Sequence, residues 1–306
     1  MKIGYLGPKG SFSEEALQKF ISTTDIEFHS PTEIVPYPSI PKLLLACQSS
    51  EIDSAFVPLE NSIEGQIGVT LDMLAQTEGL YIMREFLHQV EQCLLAAKNI
   101  PLNQIEQVYS HEQALGQCRE FLELNLSQAD QFSCSSTAEA AYIVSHNPQE
   151  NWAAIGPRRS AEIYGLSCLA ERIQDSTENT TRFIFVGHNL AELNEDDKTS
   201  LLIITGDTPG ALFNVLQEFA SRQINLSRIE SRPSKKRLGE YVFFVDIDGY
   251  VFSSDIQDAL WALKNKNVYT KLLGSYPKAT LIIKDKNSPK YKEHVDKKEQ
   301  NKSSED

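Results

Sequence analysis

The sequence predicts an α/β protein: a mostly parallel sheet, or two of them, followed by a smaller β-α-β-β-α-β unit of the ferredoxin-like order. Three observations lead there. Strand-like and helix-like segments alternate from Met1 to about Gly187, the pattern of parallel sheets with ligands at the strand C-terminal ends. Near Leu193 the composition turns polar and acidic in "LNEDDKTS", which reads as a linker. From Ser200 to about Pro277 a compact strand–helix–strand–strand–helix–strand pattern follows. A chain of 306 residues also exceeds one compact core and suggests two or three domains.

The elements follow in order. "KIGYLG" is a short apolar strand, and "SFSEEALQKFI" a helix with Ser11 or Ser13 as N-cap, Glu14 and Glu15 in its first turn, and Ala16, Leu17, Phe20 and Ile21 on one face. The Pro-rich "PTEIVPYPSIP" reads as a loop leading to the helix "PKLLLACQSS". "IDSAFVPLENS" is a strand with a polar end; Pro58 within it suggests an edge strand or a kink. Leu80 to Ala97 holds two strand-like runs around "HQVEQ". "IEQVYS" is a strand before the helix "HEQALGQCREFLEL"; "STAEAAYIVSH" is a helix and "WAAIGP" a strand. "NTTRFIFVG" brings small polar residues and an arginine to the mouth of a core strand. The last unit comprises "SLLIITG", "GALFNVLQEFASRQ", "INLSRIESRP", "GEYVFFVDIDG", "SSDIQDALWALKN" and "VYTKLLGSYP". From Lys284 the chain is charged and poor in apolar residues, so residues 284–306 are expected to form a disordered tail.

Composition excludes several classes. A formal net charge of -13 disfavours nucleic acid, which needs a basic surface. No apolar run is long enough to span a bilayer. The chain starts on a strand, leaving no room for a signal segment, and Cys47, Cys93, Cys118, Cys134 and Cys168 are scattered without C-x-x-C spacing. Both features imply a reducing, cytoplasmic setting. None of the six histidines has metal-ligand spacing, so neither metal nor cofactor is expected.

Each candidate motif has a plainer reading beside it. "GYLGPKGSF" matches neither phosphate-loop pattern; its N–H groups and the Ser11 and Ser13 hydroxyls can hold a carboxylate, but a tight turn needing glycine explains it as well. Glu60, Asn61 and Ser62 sit where a strand ends, lining a cleft or only a polar loop. Gln113 and Gln117 share a helix face behind Ser110 and His111, in a site or merely exposed. Cys118 reads as core rather than nucleophile. In "NTTRF", Thr181 offers a hydroxyl and Arg182 a bidentate grip on a carboxylate, or simply an edge cap. Pro209 and Gly210 open a helix whose free N–H groups can bind an amino-acid carboxylate.

Taken in order, "GPKGSFS", "PLENSIEG", "YSHEQALGQC", "STAEAA", "AAIGP" and "NTTRF", then "PGALFNVL" and "IESRP", resemble the prephenate dehydratases with a C-terminal ACT domain, from Met1 to about Pro277. The resemblance implies a catalytic domain over residues 1–190, shaped like the type II periplasmic binding proteins, and an ACT regulatory domain over 199–277. One lobe would be Met1 to about Ala75 with a return segment ending near Gly187, the other about Gly79 to Ala153. Prephenate would lose CO2 and water to give phenylpyruvate. Carried over by motif, Thr181, Glu60, Asn61, Ser110 and Gln117 become the catalytic candidates, with Glu60 a possible proton source. Arg182, Ser62, Ser11, Gln113 and Phe183 become substrate-binding candidates, although Arg182 can instead brace the loop bearing Thr181. Glu112 stands where the family usually has proline, and little harm is expected because a first-turn acid suits the helix dipole.

ACT domains commonly pair side by side, which implies L-phenylalanine bound near Gly210, Ala211, Leu212, Asn225 and Leu226, in a homodimer or homotetramer. Glu230, Ser231 and Arg232 of the "ESRP" motif would contact phenylalanine or transmit its binding. Three alternatives stand beside this reading: arogenate as substrate, a binding protein without turnover, and fusion to chorismate mutase. The last is disfavoured because the chain opens on the first dehydratase strand.

Overall fold

The computed structural model describes residues 1–23, 32–194, 196–234 and 241–279; the expected tail lies outside them. The first lobe contains β1 (Lys2–Leu6), α1 (Phe12–Thr23), β2 (Glu33–Tyr37), α2 (Ile40–Gln48), β3 (Ser54–Asn61), β4 (Gly65–Gln66), α3 (Gly68–Gln76) and β5 (Tyr81–Gln89). The chain then crosses into a second lobe of β6 (Cys93–Ala96), β7 (Gln107–His111), α4 (Glu112–Gln117), α5 (Arg119–Asn125), β8 (Asp130–Cys134), α6 (Thr137–His146), β9 (Trp152–Gly156), α7 (Arg158–Tyr164) and β10 (Ser167–Glu171). It returns as β11 (Thr180–Gly187). The C-terminal unit follows: β12 (Asp197–Ile204), α8 (Ala211–Ala220), β13 (Leu226–Pro233), β14 (Tyr241–Asp248), α9 (Ser254–Asn265) and β15 (Tyr269–Pro277).

The second lobe is a five-stranded sheet in the order β10-β6-β9-β7-β8. Its range corrects the expected one, since β5 belongs to the first lobe's sheet and β10 closes the second. The Pro-rich segment is not all loop. Residues 33–37 form β2, parallel to β1 at the sheet edge, where Pro36 costs no interior ladder bond. β3, by contrast, is a central strand between β1 and β11 despite Pro58. A bulge beside Pro58, where Arg182 pairs Glu60 but Phe183 pairs Pro58, takes up the irregularity.

The C-terminal unit has the strand order β13-β14-β12-β15, and its sheet runs on into the first lobe through β15 and β5. Gly274 makes that seam possible: a Cβ there would lie 2.3 Å from the Ile82 carbonyl oxygen. The cores merge as well, because Leu202, Phe244, Leu273 and Tyr276 pack in one apolar cluster with Val57, Ile184 and Val186. The first strand also begins at Asp197, inside the stretch read as a linker.

At the lobe boundary the glycine-rich turn is used structurally. Gly10 adopts φ +80°, and its N–H donates to the Glu14 carboxylate at 2.6 Å. Arg159 of α7 reaches across to the same carboxylate at 2.9 Å, and the Ser160 hydroxyl donates to the Gly10 carbonyl at 2.6 Å.

Candidate active site

The site lies where the chain crosses twice between the lobes. Val90 N–H donates to Asn179 O and Ile173 N–H to Gln92 O, at 2.8 and 3.0 Å, so the two crossing segments are tied together. Strand alternation places Thr181 on the same face of β11 as Phe183 and Phe185. On β3 a regular alternation would put Asn61 with Ala55, Val57 and Leu59, toward the other core. The bulge shifts the phase by one residue, so Asn61 faces its strand partner Thr181.

A chain of neutral polar groups results. Asn61 Nδ2 donates to Thr181 Oγ1 at 2.9 Å and to Asn179 Oδ1 at 2.7 Å. Asn61 Oδ1 accepts from the N–H groups of Ile63 and Glu64 at 2.9 and 3.0 Å. Asn179 Nδ2 donates to Gln117 Oε1 at 3.2 Å, which also accepts from Gln92 Nε2 at 3.3 Å. Gln117 Nε2 donates to the Glu64 carboxylate at 3.4 Å, which bridges the second lobe to the first. Thr181 is 9% exposed and Asn179 only 2%.

The other candidates fall elsewhere. Glu60 is turned to the opposite face of the sheet from Thr181; its carboxylate lies 2.9 Å from Arg228 of β13 and accepts from Gln66 Nε2 at 2.9 Å. It is therefore corrected from proton source to ion-pair partner. Arg182 is likewise no carboxylate ligand, being 5% exposed with its guanidinium held by Glu85, Asp246 and the Tyr276 hydroxyl at 2.7, 2.7 and 2.9 Å. Phe183 is core, stacked on Phe56 with centroids 4.8 Å apart. The Ser11 hydroxyl donates to Leu6 O and accepts from Glu14 N–H, capping α1. Ser62 fastens the loop behind Thr181: its hydroxyl donates to Glu178 O and accepts from Thr180 N–H, both at 2.9 Å. Ser110 is fully buried and donates to Ile155 O at 2.7 Å, so its hydroxyl serves the second lobe's interior. Gln113 is exposed on α4, whose first residue is Glu112 and whose start is capped by His111 Nδ1 accepting from Gln113 N–H. Cys118 is buried, and burial pushes its thiol up to about 12, which suits core and not nucleophile. Sequence reasoning missed Asn179, Gln92 and Glu64 as members of the network. Asn179 opens "NTTRF", but no local signal separates an amide bridging two lobes from a turn residue.

In the C-terminal unit, Gly210 caps α8 with φ +81°, leading into Ala211 and Leu212. Asn225 Nδ2 donates to Asp248 at 2.9 Å, beside Leu226 at the start of β13. Glu230 is half-buried and Ser231 exposed on that edge strand. Arg232 is committed to Asp72 of α3, at 3.0 and 3.3 Å, so it touches the first lobe. Lys271 donates to the carbonyls of Leu74, Ala75 and Thr77 at 3.0, 3.1 and 2.6 Å, closing the C-terminal end of α3.

Fold and site together define a two-lobed α/β protein with a polar site at the lobe crossing and a βαββαβ unit fused to one lobe. Comparison with known proteins specifies the class. A sequence model of the prephenate dehydratase family matches residues 3–191, and one of the ACT domain matches residues 199–250. The chain is 38% identical over 281 residues to the bifunctional chorismate mutase/prephenate dehydratase of Neisseria gonorrhoeae, covering 92% of this chain and 75% of that one. It is 37% identical to the prephenate dehydratase of Methanocaldococcus jannaschii, covering 89% and 97% of the two chains. The crystal structure of the Arthrobacter aurescens prephenate dehydratase in complex with L-Phe superposes with a TM-score of 0.80 at 36% identity, covering 90% of each chain. The chain belongs to the prephenate dehydratase family. Among the described residues no helix is long and apolar enough to cross a membrane.

Proposed function

We propose that this protein converts prephenate to phenylpyruvate, CO2 and water at the Asn61–Thr181 pair, under control by L-phenylalanine through its ACT domain. The reaction balances without a cofactor. The bond to the ring carboxylate breaks and releases CO2. Its electron pair aromatises the ring and expels the 4-hydroxyl as hydroxide, which takes up one proton to leave as water. The enzyme has to orient a dianion and stabilise the departing oxygen. The observation that carries the reading is the Asn61 to Thr181 hydrogen bond at the lobe crossing, in which the threonine oxygen is the acceptor. The Thr181 O–H is then free to donate to the leaving oxygen, with the net proton coming from solvent. Closure of the lobes, with Gln117 on one and Glu64 on the other, excludes water around it.

L-phenylalanine is assigned to the start of α8 and the outer edge of β13, shared between two copies of the chain. The position of β13 at the end of the sheet supports this. Phenylpyruvate formation is to be measured in wild type and Thr181→Ala, with and without L-phenylalanine. Turnover that is lost in the variant and suppressed by phenylalanine is expected. Turnover of arogenate in preference to prephenate reassigns the substrate. Light scattering with and without phenylalanine tests the paired ACT arrangement.

A further inference from the structure

The polar chain at the lobe crossing is anchored at both ends by groups whose roles cannot be exchanged. At one end the backbone N–H groups of Ile63 and Glu64 are obligate donors, so the side-chain atom of Asn61 facing them is its carbonyl oxygen. Its NH2 must then face Thr181 and Asn179, and both of its N–H bonds are used. At the other end the Glu64 carboxylate only accepts when ionised, so Gln117 turns its NH2 there and its oxygen toward Asn179. Asn179 joins Asn61 to Gln117 through its side-chain amide, accepting from the first and donating to the second, while Glu64 joins the same two residues through its backbone N–H and its carboxylate. The direction of every bond follows from those anchors, and the usual ambiguity of an amide flip is removed.

This polarity has a chemical consequence. Thr181 Oγ1 accepts from Asn61, and among the described residues no acceptor for the Thr181 proton is seen. Were the Asn61 amide reversed, its oxygen would draw that proton and leave the hydroxyl with nothing to offer. We propose that Asn179 is a positioning residue for the dehydration: the Ile63 and Glu64 N–H groups set the orientation of the Asn61 amide, and Asn179, by accepting its second N–H and donating to Gln117, holds the Asn61–Thr181 pair in place against the second lobe, so that the Thr181 hydroxyl is aimed at the substrate when the lobes close. This rests on the proposed function.

The test uses the full chain and two variants. Asn179→Ala removes both bonds, and kcat is expected to fall about 100-fold with KM within about threefold, because ground-state binding is not its task. Asn179→Asp separates positioning from packing. Ionised, the aspartate accepts from Asn61 but offers no proton to Gln117. Protonated, it reproduces both bonds of the amide. The ratio of its kcat to that of wild type at the same pH should therefore rise as pH falls. Thermal melts and the stabilisation of each variant by L-phenylalanine report folding independently of turnover. Asn179→Ala with kcat within about threefold of wild type overturns the proposal. So does a folded Asn179→Asp that is as slow as the alanine variant at every pH, or failure of both variants to fold, which makes the residue structural. Wild type that does not turn over prephenate removes the proposed function and this inference with it. An active wild type with an indifferent Asn179→Ala removes the inference alone.

Discussion

Strands β3 and β11 carry two polar networks back to back, and they are built from opposite kinds of groups. Toward the cleft stand Asn61, Asn179, Thr181 and Gln117, joined by neutral donors and acceptors. Toward the ACT domain stand Glu60 and Arg182, their next neighbours along the chain, with Glu85, Lys198, Arg228 and Asp246. Three cations and three anions balance within that second set. The contrast is physical. A site that takes a dianion through a charge redistribution gains from fixed dipoles that need not reorganise. An interface that must not slip gains from buried charges that are costly to leave unpaired. Period-two alternation lets adjacent residues serve both, so the ACT domain holds the reverse side of the strands that carry the site.

The comparison can be broken most sharply by crossing the two faces. Thr181→Ala should lower kcat by roughly 100-fold to 10,000-fold while leaving the melting temperature nearly unchanged. Arg182→Met should do the reverse, costing about 3 kcal/mol in stability by leaving three anions facing two cations, Glu85 with Lys198 alone and Asp246 with Ser200 and the more distant Arg228, as read from denaturant unfolding. Equal loss of stability in both variants would end the division between faces.

Gly274→Val tests the seam itself. A side chain driven against Ile82 should cost about 1–3 kcal/mol and uncouple phenylalanine inhibition from the cleft, measured by unfolding and by inhibition assays.

The ionic face also predicts an acid dependence. Burial alone would raise the Asp246 carboxyl, but the guanidiniums of Arg182 and Arg228 outweigh it and hold the group below the usual carboxylate range. A depressed carboxyl contributes stability above its unfolded pKa of about 3.9 and loses it as pH falls through the lower folded value. Melting temperatures between about pH 5 and 2 should fall more steeply in wild type than in Asp246→Asn. The smallest effect is expected at Asp72→Asn, which weakens the hold of Arg232 on α3 and should raise the half-inhibitory phenylalanine concentration about threefold to tenfold.

Much of this was legible in the chain. The βαββαβ order showed in six segments of alternating period, and the polar mouth of β11 showed as "NTTRF" before an apolar run. These are local properties, set by side-chain periodicity and turn chemistry within a few residues. Cys118 was legible as core, although it falls at the junction of α4 and α5 and not within the single helix the sequence suggests. The roles of the charged neighbours could not. A glutamate beside an asparagine at a strand end, and an arginine beside a threonine, look like ligands of an anion until it is known what packs on each face.

Side-chain pattern and motif order were enough for the family of folds and for the segments that meet at the proposed site. Tertiary structure alone decided which face each residue serves. One bulge beside Pro58 changes the phase of β3 and brings Asn61 to Thr181. One glycine, Gly274, admits the ACT sheet against the first lobe and so places Arg228 and Asp246 behind the site. Both depend on contacts between residues far apart in the chain, and a local pattern carries no record of them.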